Sequence, residues 1–162
     1  MKIAIGADHR GHDAARSLAR ALEAMGHEVS VRNEDGPATG QACDYPDRAY
    51  QVASSVAKGD FDKGVLLCGS GIGMCIAANK VSGIRAALVH DEFTAQMAKS
   101  HNDANVLCLS ADLLGQRLIE RMVEAWLTAD FEGGRHARRV AKIHAIERGD
   151  DPATVSSESL TA

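Results

Sequence analysis

The most chemically informative feature of the sequence is a cysteine that directly precedes a glycine-rich loop. The cysteine is Cys68, which ends the apolar run 65–67, and the glycines that follow it are Gly69, Gly71 and Gly73. The apolar run predicts a buried parallel strand that carries the thiol at its carboxyl end, beside the unpaired N–H groups of the next helix. The helix dipole there favours the thiolate, and glycines let backbone amides approach an anion closely. The loop therefore predicts a reactive sulfur next to an anion-binding site.

Cys68 is compatible with two chemical roles and with a purely structural one. A general base needs only a thiolate and a carbon acid held against it, whereas a nucleophile also needs a nearby base and an acyl acceptor site. By frequency alone, a strand cysteine is usually a buried structural residue. The position of Cys68 before a helix N-terminus favours a chemical role.

The remaining cysteines, Cys43, Cys75 and Cys108, are widely spaced. They form no CxxC pair, so the sequence predicts neither a zinc site nor a disulfide framework, and we expect them to be buried free thiols. The chain also has no HxH or HExxH spacing, which argues against a bound metal.

The glycine loop does not match the motifs that bind nucleotide cofactors. A dinucleotide fingerprint requires G-x-G-x-x-G after the first strand, but the first predicted strand is followed by Ala7-Asp8-His9-Arg10-Gly11. The chain contains no Walker sequence either. We therefore expect no cofactor.

Two further groups of residues are candidates for ligand binding. His101, Asn102 and Asp103 form a dense polar cluster at a predicted helix end, where a lone histidine would more often be a cap or a surface residue. Arg135 and Arg139 are four residues apart on one helical face. Such a pair is either a solvated basic face or a bidentate phosphate clamp.

Composition limits the possible classes of protein. The 162 residues suit one domain, and 45% hydrophobic with 25% charged residues is ordinary for a globular chain. The net charge of −4 argues against nucleic acid and against a membrane surface as partners. The N-terminus enters a strand pattern directly, without the layout of a signal peptide, so we expect a cytoplasmic protein with no membrane span.

Short apolar runs alternate with helical patterns, which predicts a single-domain, three-layer, doubly wound α/β fold with a parallel five-stranded sheet of Rossmann-like type. The predicted strands are Lys2–Gly6, Glu28–Val31, Val65–Cys68, Ile84–Val89 and Ala104–Leu109. The predicted helices lie near 11–25, 47–58, 72–80, 92–100, 112–129 and 136–148. We expect a loop at 33–41, a domain over 1–149 and a polar, disordered tail over 150–162.

Several motifs together resemble the family of type B ribose-5-phosphate isomerases, which includes the galactose-6-phosphate isomerase subunits. The resemblance runs from Lys2 to about Arg148. The motifs that carry it are Ile5-Gly6-Ala7-Asp8-His9, Asp44-Tyr45-Pro46, Leu67 to Gly73, Ile76 to Lys80, Gly83-Ile84-Arg85-Ala86, His101 to Asn105 and Glu132 to His136.

The resemblance implies interconversion of D-ribose 5-phosphate and D-ribulose 5-phosphate through a cis-enediolate, without metal or cofactor. By position, Cys68 would be the base and His101 would assist opening of the furanose ring. The loop residues Gly69, Ser70, Gly71, Ile72 and Gly73 would bind the enediolate oxygens. The sugar would be lined by Asp8, His9, Tyr45 and Asn102, and the phosphate would be held by Arg135 and Arg139.

The resemblance also implies a homodimer, or a dimer of dimers, whose active sites take residues from both subunits. We expect the C-terminal helix to extend to the partner subunit. His101, Asn102 and the arginine pair would then reach the Cys68 loop of the second copy.

Two positions depart from the family pattern. One branch of the family has a glutamate base after the glycine loop, where this chain has Met74, so Cys68 must be the base. Many members have an arginine where this chain has Asp112, and an aspartate there would repel a phosphate unless it points away or pairs with an arginine. The same chemistry on another tetrose, pentose or hexose phosphate therefore stays open. Two further classes also stay open, namely a non-catalytic sugar-phosphate-binding module and a cysteine-dependent hydrolase or redox protein.

Overall fold

The computed structural model of the chain describes residues 1–32 and 42–155, and the predicted loop at 33–41 lies outside this part. The elements follow in the order β1 (Lys2–Ala7), α1 (His12–Ala24), β2 (Glu28–Val31), α2 (Tyr45–Ala57), β3 (Lys63–Cys68), α3 (Ile72–Ala78), β4 (Ala86–Leu88), α4 (Glu92–Ser100), β5 (Val106–Ser110), α5 (Gln116–Thr128), α6 (Arg135–Glu147) and a 3₁₀ turn (Pro152–Thr154).

The five strands form one parallel sheet in the order β2-β1-β3-β5-β4. Helices cover both faces of the sheet, so the central strands are buried on both sides and contribute to two separate apolar cores. Trp126 and Leu107 belong to one core, and Leu66 and Met74 belong to the second. The predicted doubly wound α/β fold is confirmed.

The register of the central strands places their carboxyl ends side by side. Gly64 lies opposite Val106, and Cys68 lies opposite Ser110. The Ser110 hydroxyl donates a 2.6 Å hydrogen bond to the carbonyl of Gly69 and accepts the N–H of Leu113 at 3.0 Å. This bonding holds residues 111–114 as a turn, so α5 begins at Gln116 and not near residue 112 as predicted.

The edge strand β4 is shorter than the predicted strand at 84–89, and side-chain amides bind several of the backbone groups in and beside it. Asn105 binds the N–H of Arg85 and the carbonyl of Gly83, each at 2.8 Å. Asn79 binds the N–H and the carbonyl of Ala86, each at 2.9 Å. The carbonyl of Arg85 and the N–H of Val89 bond to β5, so by the alternation of a strand the Ala86 peptide groups face the open edge.

The helix α4 begins with a reciprocal cap. The Asp91 carboxylate accepts the N–H of Thr94 at 2.6 Å, and the Thr94 hydroxyl accepts the N–H of Asp91 at 3.3 Å. The bonds from Thr94 lower the pKa of Asp91. The cap sets the start of the helix whose far end carries His101.

The described chain continues after α6 as far as residue 155 and includes the 3₁₀ turn at Pro152–Thr154. The N–H of Asp150 bonds to the carbonyl of Ala145 at 2.9 Å, and Lys142 donates to the carbonyl of Pro152 at 2.6 Å. Residues 156–162 lie outside the described part. Among the described residues, no helix has the length and apolar character needed to cross a bilayer.

Candidate active site

Cys68 ends β3 at the carboxyl edge of the sheet, and its side chain is almost buried, with 5% of the residue exposed. Its Sγ accepts the N–H of Gly71 at 3.1 Å. Gly71 has a positive φ of 77°, and a Cβ there would lie 2.6 Å from Leu88 Cδ1, so this turn requires glycine. The chain thus holds a thiol against a backbone N–H at a strand-to-helix turn.

The glycine loop supports an aromatic side chain from α2. A Cβ at Gly73 would lie 2.5 Å from the ring of Tyr45, so the absence of a side chain at Gly73 lets the ring pack against the loop. Tyr45 is 42% exposed, which leaves part of the ring available to a ligand. Within the loop, the Ser70 hydroxyl accepts the N–H of Ile72 at 3.3 Å.

Asp8 lies beside the Cys68 loop, because β1 and β3 are neighbours in the sheet. Its N–H donates to the carbonyl of Leu67 at 3.1 Å, and its carboxylate accepts the N–H groups of Arg10 and Gly11 at 2.9 and 3.0 Å. These bonds fix a carboxylate that is 7% exposed. His9, the next residue, is exposed.

Asp112 forms an ion pair with an arginine. This is one of the two arrangements, with a carboxylate that points away as the second, in which an aspartate here would not repel a bound phosphate. Arg10 Nε lies 2.8 Å from Asp112 Oδ2, and Arg10 Nη2 lies 2.8 Å from the same oxygen. The pair lies over Gly69, where a Cβ would be 2.9 Å from Asp112 Oδ2. The hydrogen bond and the charge of Asp112 raise the pKa of Arg10. Sequence reasoning did not single out Arg10.

The predicted site residues fall into two groups at opposite ends of the sheet. The carboxyl-end group is Cys68, Gly69, Ser70, Gly71, Ile72, Gly73, Asp8, His9 and Tyr45, and the amino-end group is His101, Asn102, Arg135 and Arg139. His101 follows α4, which returns from the carboxyl edge to the amino edge before β5 begins at Val106. The four steps of β5 from Val106 to Ser110 alone span about 13 Å. One copy of the chain therefore does not bring Cys68 and His101 together.

His101 lies in a cluster with Glu132, from the segment before α6, and with His136, on the first turn of α6. Its ring stacks on the ring of His136, with centroids 4.1 Å apart and an angle of 12° between the planes. Glu132 lies against both rings, 3.7 Å from His101 Nε2 and 3.5 Å from His136 Nε2. Glu132 and His136 form part of a motif that carries the family resemblance, but their types and spacing alone did not identify them as site residues.

The side chain of Arg85 stabilises the turn that carries Asn102. The guanidinium of Arg85 donates to the backbone carbonyls of Asn102 and Asp103 and pairs with the Asp103 carboxylate at 3.1 Å. Asp103 also pairs with Lys99 and has a positive φ of 45°. The indole N–H of Trp126 donates to the carbonyl of Ala104 at 3.2 Å. These bonds fix His101 and Asn102 relative to β5.

The cysteines near the loop are free but not equivalent. Cys75 is half-buried, and a hydrogen bond from Cys108 lowers the pKa of Cys75 to about 7. The same bond, together with burial, raises the pKa of Cys108. Cys75 therefore differs from the inert buried thiol expected from the sequence.

One cluster in the described residues has the composition of a metal site, namely His101, Glu132 and His136, with one ligand atom of each within 4.8 Å of the others. An imidazole binds a metal in the plane of its ring, and two rings stacked nearly parallel cannot both direct Nε2 at one ion. In addition, His136 Nε2 accepts a hydrogen bond from Arg135 Nε at 3.2 Å. The cluster therefore fits a hydrogen-bonded arrangement better than a metal centre.

A doubly wound α/β fold with a thiol and a glycine loop at the strand ends defines a class of ligand-binding proteins, and comparison with known proteins narrows it. Residues 3–143 match the Ribose/Galactose Isomerase family model. Ribose-5-phosphate isomerase B of Escherichia coli K12 is 44% identical over 147 residues, which cover 91% of this chain and 97% of that protein. D-erythrulose-4-phosphate isomerase of Pectobacterium atrosepticum is 45% identical over 147 residues, covering 91% and 95%.

A solved structure agrees with these sequence relatives. The crystal structure of ribose-5-phosphate isomerase B from Mycoplasma genitalium with bound ribulose 5-phosphate has a TM-score of 0.85 and 43% identity, and the match covers 91% of this chain and 96% of that chain. The chain belongs to the Ribose/Galactose Isomerase family. It is an enzyme of the isomerase class.

Proposed function

We propose that this enzyme interconverts D-ribose 5-phosphate and D-ribulose 5-phosphate through a cis-enediolate, with Cys68 as the base. The observation that carries the proposal is the position of the thiol, at the carboxyl end of β3 and 3.1 Å from the N–H of Gly71. In doubly wound sheets, ligands bind at this edge. Family membership and the names of the relatives support the choice of reaction.

The reaction needs one group that takes a proton from carbon and returns it to the neighbouring carbon. The Cys68 thiolate removes the proton from C2 of the open-chain aldose, the C2–H electron pair becomes the C1–C2 double bond, and negative charge collects on O1. The thiol then returns the proton to C1 while the proton on O2 passes to O1, which leaves a ketone at C2. Backbone N–H groups of loop 69–73 stabilise the charge that develops on the oxygens.

The amino-end group supplies the remaining roles in this proposal. His101 donates a proton to the ring oxygen of the closed sugar and so produces the open-chain form on which Cys68 acts. Arg135 and Arg139 are exposed on one face of α6 and hold the phosphate, which orients the reacting carbons. Asp8, His9, Tyr45 and Asn102 line the sugar.

Complete sites require two copies of the chain in this proposal, because Cys68 and His101 lie at opposite ends of the sheet. A two-fold dimer brings the amino-end group of each copy to the carboxyl-end group of its partner and so completes two equivalent sites. The separation of the two groups supports a homodimer, or a dimer of dimers, with shared active sites.

The identity of the sugar depends in part on Asp112. Its charge is neutralised by Arg10, so a carboxylate at this position does not by itself exclude a phosphate. Relatives with nearly equal identity are named for a pentose phosphate and for a tetrose phosphate. Ribose 5-phosphate is our first choice, and a tetrose phosphate is the second candidate, to be tested beside it.

The test is a panel of tetrose, pentose and hexose phosphates incubated with enzyme in deuterated water. Proton NMR measures both ketose formation and loss of the proton on C2. Wild-type enzyme is expected to isomerise ribose 5-phosphate, and Cys68→Ala is expected to lose turnover by about a hundredfold or more. The matched control is Cys43→Ala, which removes a thiol outside the loop and should retain activity.

The competing functions give different results in the same experiment. A binding module would bind sugar phosphate without exchange at C2. A cysteine-dependent hydrolase or redox protein would show a covalent adduct at Cys68 by intact mass. Near-normal turnover in Cys68→Ala would overturn the assignment of the base.

A further inference from the structure

His136 is a buried titratable residue to which the proposed reaction gives no task. The residue is 3% exposed and lies on the first turn of α6, between two residues that are proposed to touch the substrate. Its ring stacks on His101 at 4.1 Å, and its Nε2 accepts the Nε–H of Arg135 at 3.2 Å. One imidazole thus contacts both the proposed ring-opening acid and a proposed phosphate ligand.

The hydrogen bond from Arg135 sets the protonation of His136. An imidazole nitrogen that accepts a hydrogen bond carries no proton, so the single proton of the neutral ring lies on Nδ1. Burial, followed by the nearby charges of His101 and Arg135, lowers the pKa of His136, while Glu132 acts in the opposite direction and Arg139 adds to the lowering. The ring is therefore neutral at neutral pH.

The carboxylate of Glu132 faces both rings, and its Oε2 is 3.5 Å from His136 Nε2. The carboxylate lies 3.7 Å from His101 Nε2, and the N–H of Glu132 is bonded to the carbonyl of Ser100 at 3.0 Å, one residue before His101. A proton on Nε2 of His136 would remove the acceptor that Arg135 uses. The hydrogen bond from Arg135 therefore requires an unprotonated Nε2 at position 136.

We propose that His136 is a positioning residue that sets the ring plane of His101 and the direction of the Arg135 guanidinium. The inference rests on the proposed function for the tasks of those two residues. It couples ring opening to phosphate binding, because one buried ring fixes the groups responsible for both. The two couplings use different properties of the side chain, namely the stacked face and the Nε2 acceptor.

Two substitutions separate these properties. His136→Phe keeps a flat ring under His101 but removes the acceptor, so we expect KM for the sugar phosphate to rise about tenfold while kcat on ribose 5-phosphate stays within about twofold. His136→Gln places an amide oxygen near the position of Nε2 but removes the ring, so we expect KM to stay near the wild-type value and kcat to fall about tenfold. Circular dichroism and thermal unfolding establish that both variants fold.

The opposite changes in KM and kcat distinguish positioning from a structural role. If kcat falls and KM rises to the same extent in both variants, or if both variants match wild type, the inference is overturned. A third outcome concerns metal. If Zn²⁺ added to the wild-type protein inhibits turnover and the His136→Gln variant escapes that inhibition, the cluster binds metal and the inference is also overturned.

A readout without turnover separates this inference from the proposed function. The stacked ring of His136 shifts the NMR signals of the His101 ring protons upfield, and this shift should persist in His136→Phe and disappear in His136→Gln. Inorganic phosphate should bind His136→Phe about tenfold more weakly than wild type and bind His136→Gln normally. If no sugar phosphate is isomerised by wild type, the proposed function fails, yet these two measurements still support or overturn the positioning role.

Discussion

The guanidinium of Arg10 and the carboxylate of Asp112 pair across 102 residues of sequence, with two contacts of 2.8 Å to the same carboxylate oxygen. Arg10 follows β1, and Asp112 follows β5, so the pair closes over Gly69 from two sides. Both side chains are partly exposed, and pairs of this kind contribute little to stability. The effect of the pair is instead local, since it neutralises a negative charge at the edge where the substrate is proposed to bind.

Removal of Arg10 is expected to expose that charge. In Arg10→Ala, the unpaired Asp112 carboxylate repels the phosphate, so KM for the sugar phosphate should rise about tenfold at low salt and less at high salt. The double variant Arg10→Ala with Asp112→Ala should recover most of the lost affinity. Steady-state kinetics at two ionic strengths measure both effects, and an unchanged KM in Arg10→Ala would show that the pair lies away from the bound phosphate.

Composite sites predict that two inactive variants complement each other. Cys68→Ala and His101→Ala are each expected to lose activity, but a mixed dimer contains one site with an intact Cys68 and an intact His101. Because half of randomly mixed dimers are mixed and each has one intact site of two, co-expression should restore about one quarter of wild-type activity. The control is the double variant, which carries both substitutions in the same chain. An activity no greater than the mean of the two single variants would mean that Cys68 of one copy and His101 of its partner do not form a shared site.

The contact between Gly73 and Tyr45 predicts a steric effect on the site. In Gly73→Ala, the new Cβ would lie 2.5 Å from the ring, so Tyr45 must move away from the loop. We expect kcat/KM to fall at least about tenfold while the protein stays folded. Gly115→Ala is the matched control, since no atom lies within 4 Å of a Cβ there. Equal behaviour of the two variants would mean that the position of the Tyr45 ring does not matter.

The pKa of Cys75, lowered to about 7 by the hydrogen bond from Cys108, predicts a pH dependence of alkylation. The thiolate fraction rises with pH, so the rate at which iodoacetamide labels Cys75 should reach half of its maximum near pH 7. Peptide mass spectrometry measures this labelling rate. In Cys108→Ala, the donor is gone and the midpoint should move to higher pH. A rate at Cys75 that still rises steeply above about pH 8.5, as for an ordinary thiol, would contradict the prediction.

Sequence periodicity predicted the sheet, its parallel direction and the placement of Cys68 at a strand end, because these depend on local pattern and on the rules for βα connections. The start of β4 was not predictable, because the N–H of Arg85 bonds to the side chain of Asn105, 20 residues away along the chain. Residue type and spacing alone do not reveal which side chain comes to occupy a backbone bond.

The same limit applies to the candidate site. Cys68 and His101 were identified by type and position, whereas Arg10 and His136 stand out only through the partners that folding brings to them. Asp112 was recognised as unusual, but the residue that neutralises it follows a different strand. The stack of His136 on His101 depends on where the segment after α5 returns to the sheet, which no local pattern specifies.

The amide of Asn79, bound to both backbone groups of Ala86, affects how copies of this chain can associate. An uncovered edge strand invites a neighbouring molecule to add its own strand, which leads to swapped or open-ended polymers. Here an incoming strand would first have to displace a side chain that already mimics it. At Ala86 the edge of the sheet is therefore protected against the addition of a further strand.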